Sequence, residues 1–194
     1  FEVIVGAVLT QNTAWPNVER AINNLKQAGC LSLSGILRLE TDTLAQLIRP
    51  SGYFNIKSGR LTNLCQAISG AGGLAALTRR DTATLRRWLL EVNGVGPETA
   101  DDILLYAFER PVFVIDAYTR RIFSRLGWIT GSEPYETLRQ GVETALGPDV
   151  RLYNEYHALL VQHAKQVCGV KPACGGCTLR HACAAASGMS SEGR

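Results

Sequence analysis

The chain has 194 residues and no apolar run long enough to cross a membrane, which excludes a spanning helix. Strict alternation of apolar and polar residues is almost missing as well. Apolar side chains recur instead at helical spacing, and the breaks carry Gly, Pro, Ser, Thr or Asp, so a sheet is excluded and an all-α fold is expected. Charge of one sign is scarce: 20 basic against 17 acidic residues give a formal net charge of +3. That balance does not announce a polyanionic partner, so any basic face must be local. Arg79 with Arg80, Arg86 with Arg87, and Arg120 with Arg121 are the candidates, and each pair also reads as an ordinary solvated helix face. There is no internal repeat, and low complexity is confined to a polar tail from 187 to 194. An initiator Met is missing too. The chain begins at Phe1 inside an apolar helical stretch, so upstream residues are expected.

What is present suits a compact core: 46% of residues are hydrophobic, with 19 Gly and 7 Pro as punctuation. The spacing predicts helices near 1–10, 16–28, 34–39, 42–48, 55–69, 73–78, 82–91, 97–108, 116–126, 133–146 and 151–167. The most informative stretch runs from 92 to 116. Gly94 and Gly96 flank Val95 between two helical runs, and glycine tolerates the positive φ that lets bare amides approach a ligand. Pro97 then suits the first position of a helix, whose free N–H groups attract an anion such as phosphate. A tight interhelical turn would use the same residues. After a break at Arg110 and Pro111, an apolar run at 112–115 ends on Asp116, which is placed to cap the next helix.

Four cysteines near the C-terminus, Cys168, Cys174, Cys177 and Cys183, are spaced C-x5-C-x2-C-x5-C and broken by Pro172, Gly175 and Gly176. Four thiolates on so short a segment can ligate a [4Fe–4S] cluster or a tetrahedral zinc ion. Two disulfides are a third alternative, weakened by the lack of any sign of secretion. Cys30 and Cys65 stand apart in helical contexts and read as buried thiols.

Taken together, these segments resemble the helix-hairpin-helix DNA glycosylase superfamily, endonuclease III branch. There a Leu-Pro-Gly-Val-Gly hairpin precedes a helix and a Val-Asp catalytic element; here Val92-Asn93-Gly94-Val95-Gly96 and Ile115-Asp116 take those places. The resemblance covers nearly the whole chain. It implies a two-lobed fold, with a six-helix barrel over about 1–112 that includes the helix-hairpin-helix at about 82–108. A helical lobe at 113–183, to which the first helix would contribute as well, would carry the cluster loop, followed by a flexible tail at 184–194, with hairpin and acid at the cleft between the lobes. It favours a [4Fe–4S] cluster over zinc, although the first cysteine gap is one residue shorter than the family's. It implies a monomer acting on double-stranded DNA with a damaged base, no membrane partner, and a cytoplasmic location, nucleoid-associated in a bacterium. Val8-Leu9-Thr10-Gln11-Asn12-Thr13 resembles the stretch that supplies a glutamine to fill the hole left by an extruded base, which makes Gln11 the plug. Ser51-Gly52-Tyr53-Phe54-Asn55-Ile56-Lys57 is similar to the loop whose tip wedges into the duplex, which makes Tyr53 the wedge. Unstacking a base costs a few kcal/mol, and inserted side chains offset part of it. Without the resemblance, Gln11 reads as a helix-lining residue and Tyr53 and Phe54 as core aromatics.

Glu98 departs from the pattern. It stands two residues after Gly96, where bifunctional members carry the lysine that attacks the sugar, and its eighteen-residue separation from Asp116 matches the family's. A carboxylate forms no Schiff base. Lys165 could supply an amine from the late helix, though a solvated lysine is the plainer reading. What remains suits a monofunctional glycosylase in which Asp116 orients or deprotonates water, Glu98 acts as a second acid, holds a water or sets pocket charge, and Asn93, Gly94, Val95 and Gly96 hold the DNA backbone. Alkylated purines such as 3-methyladenine are cationic and suit a negative pocket with aromatic walls. Members without the lysine resemble this chain after the hairpin. Oxidised or mispaired pyrimidines are the alternative substrates, and an iron-sulfur DNA-binding protein without catalysis is the alternative class.

Overall fold

The computed structural model describes the backbone of residues 1–189 and the side chains of 1–187. The last residues of the expected tail, 190–194, lie outside the described residues. Every regular element among the described residues is helical. The chain divides into two compact units, Phe1–Arg110 and Pro111–Arg194.

In the first unit, α1 (Glu2–Leu9) buries Ile4 through Leu9 in unbroken succession. A helix without a polar face belongs at the centre of its unit, and α1 packs against α2 (Trp15–Gln27), α5 (Phe54–Gly70) and α8 (Pro97–Asp102). By contrast α2 is amphipathic and turns Val18, Ala21, Ile22 and Leu25 inward at i, i+3, i+4 and i+7 spacing. Two short helices follow, α3 (Leu33–Leu37) and α4 (Thr41–Leu47), the first capped by Ser32 Oγ, which accepts from Gly35 N at 3.0 Å. After α4, a single 3-10 turn at Arg49–Ser51 leads into α5. Next come α6 (Leu74–Thr78) and α7 (Thr82–Glu91), the latter capped by Asp81.

The single helix expected at 97–108 is two pieces: α8 passes into a wider π-helical turn at Ile103–Ala107. Ile103, Leu104 and Leu105 are all buried. Three consecutive buried side chains exceed one face of a regular helix, and π turns occur where an α-helix is locally distorted in this way.

The second unit opens on an extended run, residues 112–115, exposed by no more than 3%. No strand pairs with it. Its amides are met by side chains of α10 (Tyr135–Leu146): Phe113 N donates to Glu143 Oε1 at 2.9 Å and Ile115 N to Tyr135 Oη at 3.4 Å. That satisfies donors whose burial would otherwise be costly. The run feeds α9 (Ala117–Leu126), which ends on Gly127 at φ 81°, a left-handed stop that glycine adopts without strain. α11 (Val150–Gln166) packs along α9, and the Phe113 ring meets Tyr153 edge-on at 5.5 Å. Instead of continuing as a tail, the chain forms one more helix, α12 (Ala184–Met189), which packs on α9 with Ala186 buried.

Candidate functional site

In the first unit, α7 and α8 are joined by the glycine turn. Val92 and Val95 point into the core while Asn93, Gly96, Pro97 and Glu98 are exposed, so the turn presents main chain outward. Only Gly94 uses positive φ, at 95°; Gly96 is extended at φ −91° as the N-cap of α8. The two glycines therefore serve different purposes. A side chain at Gly94 would be strained, would run into Arg60 Cγ and would stand 2.9 Å from Arg60 Cβ. A methyl at Gly96 would meet open space. Among the described residues nothing stands within 4 Å of that methyl, which leaves room for a ligand to approach. The first N–H groups of α8 have no partner within their helix, so the exposed end is suited to an anion.

The turn is braced from behind. Asp101 on α8 is fully buried and takes both arms of Arg86 from α7, Nε at 2.6 Å and Nη2 at 3.0 Å. Arg86 is thus an internal clamp and not part of a solvated or DNA-facing pair. Likewise Arg80 lies over the Trp88 ring at 5.2 Å. In the second unit Arg120 donates to Glu133 O at 2.8 Å and Arg121 to Cys168 O at 2.9 Å. Most of the paired arginines hold the fold together.

Gln11 lies against the same turn. Its Nε2 donates to Thr99 Oγ1 at 2.9 Å and Gly94 O at 3.3 Å, and its Oε1 accepts from Arg60 Nη1. Its neighbour Asn12 is exposed and held at φ 53°. Tyr53 is also left-handed, at φ 46°, directly after Gly52 at φ 68°, and is 68% exposed. An exposed aromatic in a strained backbone is no core residue, and such strain gathers at functional loops. Between the two loops lies Lys57, 1% exposed, whose Nζ donates to Leu9 O at 2.8 Å and Ser51 O at 2.7 Å. Burial, with Arg60 adding repulsion, lowers its pKa to about 8. Arg60 was not legible as part of the site, and of Lys57 only its place in the wedge loop was: the residues they bind at Gln11 and Leu9 lie 49 and 48 positions away in sequence.

In the second unit, Asp116 caps α9: its Oδ1 accepts from Thr119 N at 2.7 Å. Its Oδ2 lies 3.6 Å from His157 Nε2 on α11, and the carboxylate side chain keeps 14% exposure. Burial pushes this carboxyl up, but His157 and the Thr119 amide outweigh that and hold it below the usual carboxylate range. Sequence reading missed His157, whose apolar surroundings gave no signal of a partner. Lys165 is exposed, with its ammonium 6.0 Å from the Tyr118 ring centroid.

Cys168, Cys174, Cys177 and Cys183 line one cavity of ≈ 220 Å³ together with His163 and Arg125. All four are half-buried free thiols, so the two-disulfide alternative is not what forms. Arg125 clamps the loop, donating from Nη1 to Cys168 Sγ at 3.1 Å and Gly169 O at 2.6 Å. Among the described residues, no three His, Cys, Asp or Glu side chains converge as a single metal ion would require. Of the remaining thiols, Cys65 is fully buried and its pKa is pushed up to about 12, whereas Cys30 is only half-buried, in the turn after α2.

Residues 5–148 match the HhH-GPD superfamily of base excision DNA repair proteins. The chain belongs to that family. Among curated relatives it is 49% identical to a Methanocaldococcus jannaschii protein assigned as a DNA repair glycosylase, over 94% of this chain and 84% of that one. It is 29% identical to an endonuclease III of Sulfolobus acidocaldarius, over 94% and 81%. Among solved structures, a Helicobacter pylori 3-methyladenine DNA glycosylase bound to 1,N6-ethenoadenine matches at 33% identity. The TM-score there is 0.74, over 86% of this chain and 85% of that one. An endonuclease III in a non-covalent DNA complex shares the fold at a TM-score of 0.83 and 19% identity, over 97% and 85%. The HhH-GPD chain is an endonuclease III-like DNA glycosylase of base excision repair.

Proposed function

We propose that this glycosylase is monofunctional and releases alkylated purines, 3-methyladenine among them, by hydrolysing the N-glycosidic bond. The observation that carries the reading is Glu98 in the first turn after the hairpin, a position where a lyase needs an amine. The 33% identity to a 3-methyladenine glycosylase supports the substrate class.

In this reading the exposed amides around Gly96 and the start of α8 hold a DNA phosphate, and Tyr53 enters the duplex as the wedge. Gln11 fills the vacated space only by leaving Thr99 and Gly94. Asp116 acts on the sugar. The bond from C1′ to the base breaks with its electron pair leaving on the base, so a cationic purine departs neutral. The anionic carboxylate stabilises the positive sugar, and water adds to C1′ as Asp116 accepts its proton. A carboxyl held ionised suits both tasks.

The four cysteines would hold a [4Fe–4S] cluster. Soft thiolates lining one cavity suit an iron–sulfur group. Such a cluster would be held by Cys168, Cys174, Cys177 and Cys183 and would supply a redox-capable centre. Iron content and visible absorption near 400 nm would test it, and stoichiometric zinc without iron would reject it.

The deciding experiment is a panel of duplexes, each with one modified base, scored for release with and without alkali. Release of 3-methyladenine with strand breakage only after alkali is expected. Preferential release of oxidised or mispaired pyrimidines would favour the endonuclease III reading, and no release from any duplex would favour a DNA-binding protein without catalysis.

A further inference from the structure

We infer that His157 is a positioning residue for Asp116: its imidazole, carried by α11, faces the carboxylate oxygen that the Thr119 amide does not take. The inference rests on reading Asp116 as the acid that acts on the sugar. It assigns a role to a histidine that neither the family match nor the hairpin motif singles out.

Asp116 Oδ1 is held by the cap bond of α9 at 2.7 Å. A cap fixes one oxygen and leaves the carboxylate free to swing about it. His157 supplies the second point, with Nε2 3.6 Å from Oδ2. That separation is longer than a direct hydrogen bond and short enough for strong attraction once the ring is protonated. The imidazole has little freedom to move away, being 7% exposed with its ring edge-on to Phe113 at 6.3 Å. Two helices and the buried run at 112–115 thus converge on one carboxylate.

Several of the other charged groups of the packed elements have partners of their own, while Arg151, Glu155 and Lys165 of α11 are exposed. On α9, Arg120 donates to Glu133 O, and Arg121 to Cys168 O and Ala164 O. On α10, Glu143 takes Phe113 N and Arg139, while Glu136 takes Arg139 as well. On α11 itself, Tyr153 Oη reaches Glu143 O, and the Tyr156 ring lies beside Phe113 at 5.6 Å. The acid facing the His157 ring is Asp116. A cationic ring there keeps the carboxylate charged further into acid than the cap bond alone would, and so extends the pH range over which excision runs.

The test is single-turnover release of 3-methyladenine from a duplex, measured across the acidic range for wild type, His157→Gln and Asp116→Asn. His157→Gln should move the acid limb of the rate profile upward by about one pH unit, roughly a tenfold loss on that limb. Duplex binding should be unchanged. Because a buried substitution can unfold the chain, the companion measurement leaves His157 in place: NMR spectra of the histidine rings in wild type and Asp116→Asn. Loss of the facing carboxylate should move the ring signals of His157. An unmoved acid limb in folded His157→Gln, or identical His157 ring signals in the two proteins, overturns the inference. If Asp116→Asn releases the base at the wild-type rate, the reading of Asp116 fails and this role falls with it. If Asp116→Asn is inactive while His157→Gln behaves as wild type, only the role of His157 is lost.

Discussion

The hairpin in the first unit and the carboxylate in the second are built from opposite materials. The hairpin shows its main chain: its side chains turn inward at Val92 and Val95, and the outward parts are amides that most residues could provide. The carboxylate is a single side chain held by an amide on one oxygen and faced at 3.6 Å by an imidazole on the other. In the proposed function, a surface made of backbone would bind what every nucleotide shares, while one oriented acid would perform one reaction. Substitution should therefore damage the two in different ways.

The largest effect tests the carboxylate. Asp116→Asn keeps the shape and can still cap α9, yet it should slow base release by about a thousandfold, within the usual range for a general base that also offsets charge. Duplex affinity should stay near wild type by gel shift; loss of both together would mean the acid also serves binding. Next is the brace behind the hairpin. Arg86→Met leaves the fully buried Asp101 without its bidentate partner and should cost about 3–5 kcal/mol in chemical denaturation. The glycines divide the comparison more finely. Gly94→Ala should fold poorly, since it combines positive φ with a collision at Arg60. Gly96→Ala should melt like wild type and bind all sequences several-fold more weakly, because its methyl stands where a phosphate would approach. A sequence-selective loss would break the contrast between backbone and side-chain recognition. Borohydride should trap no protein on damaged DNA, and efficient trapping abolished by Lys165→Met would identify that amine.

The smallest effect concerns Lys57. Its folded pKa is lowered to about 8, so above that pH the unfolded chain binds more protons than the folded one, up to the ordinary lysine value of 10.5. The contribution of Lys57 to stability thus rises with pH between those values. The urea midpoint of wild type should gain on that of Lys57→Met over this window, and parallel curves would reject the assignment.

What the sequence disclosed follows the same division. Helical spacing, the glycine turn, the acid before α9 and the cysteine loop are local patterns, and each forms close to its expected place. The second glycine misled, because spacing alone does not say which one needs positive φ. Partners drawn from afar left no trace: Arg60 on Gln11 and Lys57 on Leu9 are joined by folding, across intervals that carry no periodic signal. His157 was hidden for the same reason. The paired arginines looked like surface because charge pattern does not reveal which guanidinium closes on a buried carbonyl or carboxylate.

The extended run before Asp116 carries a consequence for variation among relatives. Its amides are answered by Glu143 and Tyr135, and no neighbouring strand fixes its register. On the reading of Asp116 as the acid that acts on the sugar, its aim is inherited from α10, so drift in that helix would retune excision while the residues around Asp116 stay letter-perfect.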